Sequence, residues 1–162
     1  MATLTVFEFE TPDGADQGLA LVQDLQKQSL ITLQDAAIVT WPEGAKKPKT
    51  RQLAGTTGAG ALSGAFWGML FGLLFFIPFL GLAIGAAMGA LAGKFSDYGI
   101  DDNFINDVRS KVTEGTSALF LLTSGAVVDK VAEAFKTLPK YQILSTNLSK
   151  EQEEQLKAEF GE

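Results

Sequence analysis

Glycine recurs every fourth residue at Gly60, Gly64, Gly68 and Gly72, and again at Gly81, Gly85, Gly89 and Gly93. No charged residue lies between Thr56 and Gly93, and Pro78 separates the two runs within Phe75-Phe76-Ile77-Pro78-Phe79-Leu80. Four residues advance a helix by roughly 400°, so each run lines one face. Glycine inside a helix costs about 1 kcal/mol against alanine, and a repeated cost of that kind needs a compensating contact. Close backbone approach supplies one, through dispersion and weak Cα–H···O bonds. The pattern predicts an apolar helical hairpin with a glycine seam on each arm, the seams facing each other or facing other copies of the chain.

The other faces of the first arm carry Leu62, Phe66, Trp67, Met69, Leu70, Phe71, Leu73, Leu74, Phe75 and Phe76. These are too many large side chains for a surface in water. The second arm is paler, with Ala83, Ala86, Ala87, Ala90 and Ala92. A bilayer core about 30 Å thick needs roughly 20 apolar residues per crossing; the first arm nearly reaches that and the second falls short. A fully crossing hairpin would expose a polar loop, yet this tip has no polar side chain. The expectation is therefore a monotopic or re-entrant hairpin, with the eight glycines and Phe75, Phe76, Ile77, Pro78 and Phe79 making membrane or self-association contacts. The rival expectations are a protein-only assembly in which hairpins are buried between copies, and a core helix pair of a soluble monomer.

Lys46, Lys47, Lys49 and Arg51 form a basic connector into the hairpin, and Lys94 follows it. Such runs are commonly solvated linkers. On an anionic leaflet each cation gains about 1 kcal/mol, so these five residues are candidate headgroup contacts, with both roots cytoplasmic under the positive-inside rule.

A chain of 162 residues suits one domain plus an insertion. The net charge of −6 gives no reason to expect nucleic acid. Cysteine and histidine are absent, which removes disulfides, thiol chemistry, the usual general base and the commonest metal ligand. Met1-Ala2-Thr3-Leu4-Thr5 lacks the basic-then-apolar pattern of a cleavable signal peptide.

Thr3 to Glu10 reads as a strand. Thr11-Pro12-Asp13 starts a helix, with Thr11 as cap and Pro12 at the first helical position. Ala15, Leu19, Val22 and Leu25 form its apolar stripe, which runs to about Gln28. Asp35 to Trp41 is a second strand. After the hairpin, Ser96 to Asp102 is a turn whose Asp101 or Asp102 caps a short helix with Phe104, Ile105, Val108 and Val112 on one face. Ser117 to Ser124 is a strand apolar enough to be central. Ala126 to Leu138 is a helix with Val128, Val131, Phe135 and Leu138 inward, and Tyr141 to Leu148 is the last strand. Ser149-Lys150-Glu151-Gln152 is a capping box opening a charged helix that docks by Leu156 and Phe160. Two β-α-β halves predict an α+β, ferredoxin-like sandwich. Residues 1–53 and 97–162 form that discontinuous domain, and 54–96 the inserted hairpin.

Candidate chemistry is thin. Gly58 to Gly64 resembles a dinucleotide loop, but its spacing is off by one and no acidic residue follows at the ribose position. Asp97, Asp101 and Asp102 offer oxygen ligands, yet capping and turn formation explain them. Glu8 and Glu10 share a strand face and are expected to be solvated. Ser63 has no activating partner. Trp41 and Trp67 suit interfacial anchors, and Trp67 suits packing more simply. Neither a catalytic site nor a cofactor is expected.

Thr11-Pro12-Asp13-Gly14-Ala15, Asp35-Ala36-Ala37-Ile38-Val39, the glycine hairpin, Ser96-Asp97-Tyr98-Gly99-Ile100-Asp101-Asp102 and Ser117-Ala118-Leu119-Phe120-Leu121-Leu122 together resemble a bacterial family labelled "predicted membrane protein", domain of unknown function 1269. The resemblance covers nearly the whole chain, and Ser96 to Asp102 is its most specific part. It implies a bacterial, membrane-annotated protein and brings no enzymatic residues. The expectation is a non-enzymatic homo-oligomer at the cytoplasmic side of the inner membrane. The alternatives are a cytoplasmic ring, filament or shell, or a domain that senses a small ligand or lipid.

Overall fold

The computed structural model describes residues 2–52, 64–76, 93–125, 127–138 and 140–160. The elements are β1 (Ala2–Phe9), α1 (Gly14–Lys27), β2 (Leu33–Thr40), β3 (Lys49–Gln52) and α2 (Gly64–Phe71), which runs on as a π-helical turn (Gly72–Phe76). They continue with α3 (Asp102–Lys111), β4 (Ser117–Ser124), α4 (Val128–Ala134) with a 3-10 turn (Phe135–Thr137), β5 (Tyr141–Leu148) and α5 (Lys150–Phe160).

The five strands order as β3-β2-β4-β1-β5 with antiparallel neighbours throughout. β1 and β2 therefore run parallel with β4 between them, and β4 and β5 run parallel with β1 between them. Two β-α-β units interleave, the split arrangement the two sequence halves imply. The class is α+β. The basic connector adds β3, an edge strand on β2 with Arg51 opposite Ile38 and Lys49 opposite Thr40.

Both faces of the sheet are covered. On one, Phe7, Phe9, Ile38, Leu119 and Leu121 pack under α1 and α4, joined by Leu19, Val22, Val131 and Phe135. On the other, Leu4, Val6, Val39, Phe120 and Leu122 pack under α2, the π turn, α3 and α5. Period-two alternation splits each central strand between the two cores. That is why Thr3, Thr5 and Glu8 of β1 are buried although they alternate with apolar residues. Glu8 corrects the expectation of a solvated carboxylate, because it points into the second core at 4 % exposure. Burial and the neighbouring Glu10 push its carboxyl above the ordinary value, against the pull of Lys111.

The start of α1 differs from expectation in one respect. Asp13 is the N-cap, and its side chain makes no capping bond. The cap comes from across the sheet, where Ser117 Oγ accepts from Ala15 N at 3.0 Å and donates to Thr11 O at 2.7 Å. Gly14 is needed here because a Cβ would stand 2.5 Å from the Phe9 Cβ. α4 is shorter than the predicted helix and tightens into the 3-10 turn, with Val127 buried and Val128 only half-buried. The capping box of α5 forms reciprocally. Gln152 N donates to Ser149 Oγ at 3.1 Å and Ser149 N donates to Gln152 Oε1 at 2.8 Å.

Candidate self-association and lipid-contact surface

The first arm of the predicted hairpin is seated on the sheet. Phe66, Trp67, Leu70, Phe71, Leu73, Leu74 and Phe75 are all buried in the second core. At its start Phe66 packs against Phe95 and Phe160, with ring centroids 5.6 and 5.7 Å apart. In the middle Trp67 and Phe71 meet Phe120 of β4 edge-on. At its end Phe75 meets Trp41 edge-on at 6.1 Å. The arm therefore lies along the sheet and closes its second face.

Two polar contacts fix this seat. Trp67 Nε1 donates to Asp35 Oδ2 at 2.9 Å, and Gln52 Nε2 donates to the same oxygen at 3.0 Å. Asp35 Oδ1 accepts from Ala36 N at 2.8 Å. The Asp35 carboxylate is fully buried beside a register shift in β2 and is surrounded by donors, as a buried acid requires. At the other end of the arm Arg109 of α3 donates to the carbonyls of Leu73 and Leu74. The Arg109 guanidinium takes up both carbonyls and ties α3 to the end of the arm.

With its large side chains against the sheet, the arm turns its glycines outward. Among the described residues, a Cβ at Gly68 or Gly72 would meet nothing within 4 Å, and the same holds for Gly93. Met69, between the first two, is 41 % exposed. The outer face is thus a backbone strip of Gly68 and Gly72 beside one flexible apolar side chain. Gly64 opens α2 in the same register. Gly60, Gly81, Gly85, Gly89, Ile77, Pro78 and Phe79 lie outside the described residues, and of Phe76 only the backbone is described. Phe75, expected at a membrane or subunit contact, lies in the core against Trp41 and Phe71.

The five candidate headgroup cations divide. Lys46, Lys47, Lys49 and Arg51 are exposed along β3 and the segment leading into it. Arg51 reaches Asp16 of α1 at 2.6 Å. Lys94 is drawn instead to Glu159 of α5 at 2.7 Å, and that hydrogen bond raises its ammonium above the ordinary value. Trp67 is a core residue and Trp41 is half-buried, its Nε1 donating to Ala45 O at 2.9 Å.

The turn from Ser96 to Asp102 is a structural knuckle. Phe95, Tyr98 and Ile100 are buried, and Asp101 caps α3 by accepting from Phe104 N at 2.9 Å. Gly99 adopts φ +95°, accepts from Thr146 Oγ1 at 2.7 Å, and sits where a Cβ would stand 2.8 Å from Gln152 Oε1. Among the described residues no group of three or more acidic side chains is placed to hold a metal ion. Two of the shallow grooves among the described residues border the arm and the basic strand. One of about 240 Å³ lies between Trp41, Leu74, Phe75, Arg109 and Val112. The other, of about 370 Å³, lies between Ile38, Thr40, Lys49 and Arg51.

Asp35, Gln52 and Arg109 carry no motif that would have marked them, because each acts on a partner more than ten residues away in sequence. The one usable signal was an acid at the head of an otherwise apolar strand.

Residues 61–161 match the family model described as protein of unknown function (DUF1269). The chain belongs to that family. The match takes in α2, the knuckle, α3, β4, α4, β5 and α5, so the arm that closes the sheet falls within the DUF1269 region together with most of the domain it covers. No curated protein matches the chain, and no solved structure does. Among the described residues no helix is long and apolar enough to cross a membrane.

Proposed function

We propose that this DUF1269 protein is a non-enzymatic, self-associating protein held at a membrane, with the α+β domain on the cytoplasmic side. The observation that carries the reading is the outward turn of Gly68 and Gly72 on a helix whose other face is fixed to the sheet. A rigid, side-chain-free strip lets a second backbone approach closely at little entropic cost. Membrane attachment rests on sequence: residues 77–92, which follow the seated arm, contain no charge. The experiment is light scattering coupled to size exclusion, run in detergent on the wild-type chain and on Gly68→Leu. Leucine at that position meets open space in the monomer, so the fold persists while the close approach is blocked. A multiple of 17.3 kDa that falls on substitution supports the reading. A 17.3 kDa particle for both proteins refutes it.

A second reading is a water-soluble ring, filament or shell. It is favoured by one observation: the large side chains of the first arm are buried against the chain's own sheet, so this arm has no need of lipid. Release from membranes by carbonate, as a homogeneous particle stable without detergent, would select it.

A further inference from the structure

Four of the six residues from Lys46 to Arg51 are cationic, in a chain whose net charge is −6. β3 gathers part of that charge on one side. Lys49 and Arg51 are two apart on a strand, so they share a face, and Ile38 and Thr40 stand opposite them on β2. These four residues line the open groove of about 370 Å³ at the sheet edge. Its floor is apolar, through buried Ile38, and its rim is cationic. Among the described residues Lys46, Lys47 and Lys49 form no ion pair, and Arg51 is held only by exposed Asp16.

We infer that this β3 edge is a docking surface for anionic phospholipid headgroups, and that Lys94 is not part of it. The inference rests on the membrane reading above and names the lipid chemistry that reading would use. Charge complementarity supplies the partner's sign. Position favours a leaflet: Lys49 stands opposite Thr40, next to Trp41, which Phe75 meets at the end of the arm, so the basic segment lies at the end of the sheet from which the chain enters uncharged residues 77–92. Lys94 is already taken up by Glu159 of α5 at 2.7 Å. Removing Lys94 from the set follows from that pair.

The test is co-sedimentation of the full-length chain with vesicles of phosphatidylcholine alone and of phosphatidylcholine mixed with phosphatidylserine. The comparison proteins are the triple variant Lys46→Gln, Lys47→Gln, Lys49→Gln and the single variant Lys94→Gln. All four side chains are exposed, so none of the variants threatens the fold. At roughly fivefold per cation, the triple variant loses about a hundredfold in partitioning to the mixed vesicles, and Lys94→Gln loses essentially nothing. Equal binding to both vesicles, or a triple variant that binds like wild type, overturns the headgroup inference and leaves membrane attachment standing. Binding to neither vesicle overturns both. Loss of self-association by the triple variant in lipid-free buffer, with vesicle binding unchanged, assigns the patch to a second copy and also overturns the inference.

Discussion

Trp67→Phe separates the polar from the apolar part of the seat that holds α2 on the sheet. The indole nitrogen donates to the Asp35 carboxylate at 2.9 Å, with both residues buried. A hydrogen bond to a charged group contributes about 1.5–3 kcal/mol. The phenyl ring can keep its place beside Phe71 and Phe120 but fills less volume, which costs about another 1 kcal/mol. The expected loss is about 2–4 kcal/mol. It reads out in urea unfolding followed by far-ultraviolet circular dichroism, as a lower midpoint at unchanged slope. Asp35→Asn with and without Trp67→Phe completes a double-mutant cycle, and a coupling of about 0.5–3 kcal/mol is expected for groups in direct contact. A loss below about 0.5 kcal/mol for Trp67→Phe, the size of an ordinary surface change, would mean the indole is not held by the sheet. It would then refute the seating of the arm, since a Trp67 immersed in lipid would leave domain stability untouched.

Three further outcomes follow from the same geometry. Gly99→Ala forces a side chain into φ +95° and against Gln152 Oε1; a loss of about 1–3 kcal/mol is expected in the same unfolding assay. Glu8 binds its proton more tightly folded than unfolded, so stability is greatest below the ordinary carboxyl value of 4.5 and falls as pH rises through the raised folded value. Glu8→Gln is therefore expected to remove that declining limb from a stability-against-pH profile and to stabilise the protein at neutral pH. Ser149→Ala removes the hydroxyl that accepts from Gln152 N, and is expected to lower stability by about 1 kcal/mol.

The regular elements were legible because their signals are local. Ala15, Leu19, Val22 and Leu25 repeat at helical spacing, and all four are buried on α1. The Ser149 capping box spans only four residues and forms as written. β5 begins and ends where its β-formers do. What the sequence hid was long-range. Alternation in β1 cannot show that both faces are covered, so from sequence alone Glu8 reads as solvated, whereas it is buried. The uncharged run from Thr56 to Gly93 reads as a lipid-facing hairpin before it reads as a core, yet both settings reward the same side chains. Only the position of Asp35 beneath Trp67 separates the two for the first arm, and no spacing rule joins residues 32 positions apart. The glycine spacing places Gly68 and Gly72 on one helical face, but the direction of that face depends on which side of α2 meets the sheet. The charge on Lys94 looked equivalent to that on Lys49 until Glu159 of α5 was placed beside it.

The outward glycine strip can be probed with a single thiol, because the chain contains no cysteine. Met69→Cys places that thiol on the exposed face between Gly68 and Gly72, and Lys136→Cys places one on the 3-10 turn over the opposite side of the sheet. If two copies meet through the strip, mild oxidation converts the Met69→Cys protein into a covalent dimer far faster than the Lys136→Cys protein. If both proteins stay monomeric on a denaturing gel, or dimerise at the same slow rate, the glycine face of α2 is not where copies of this chain meet.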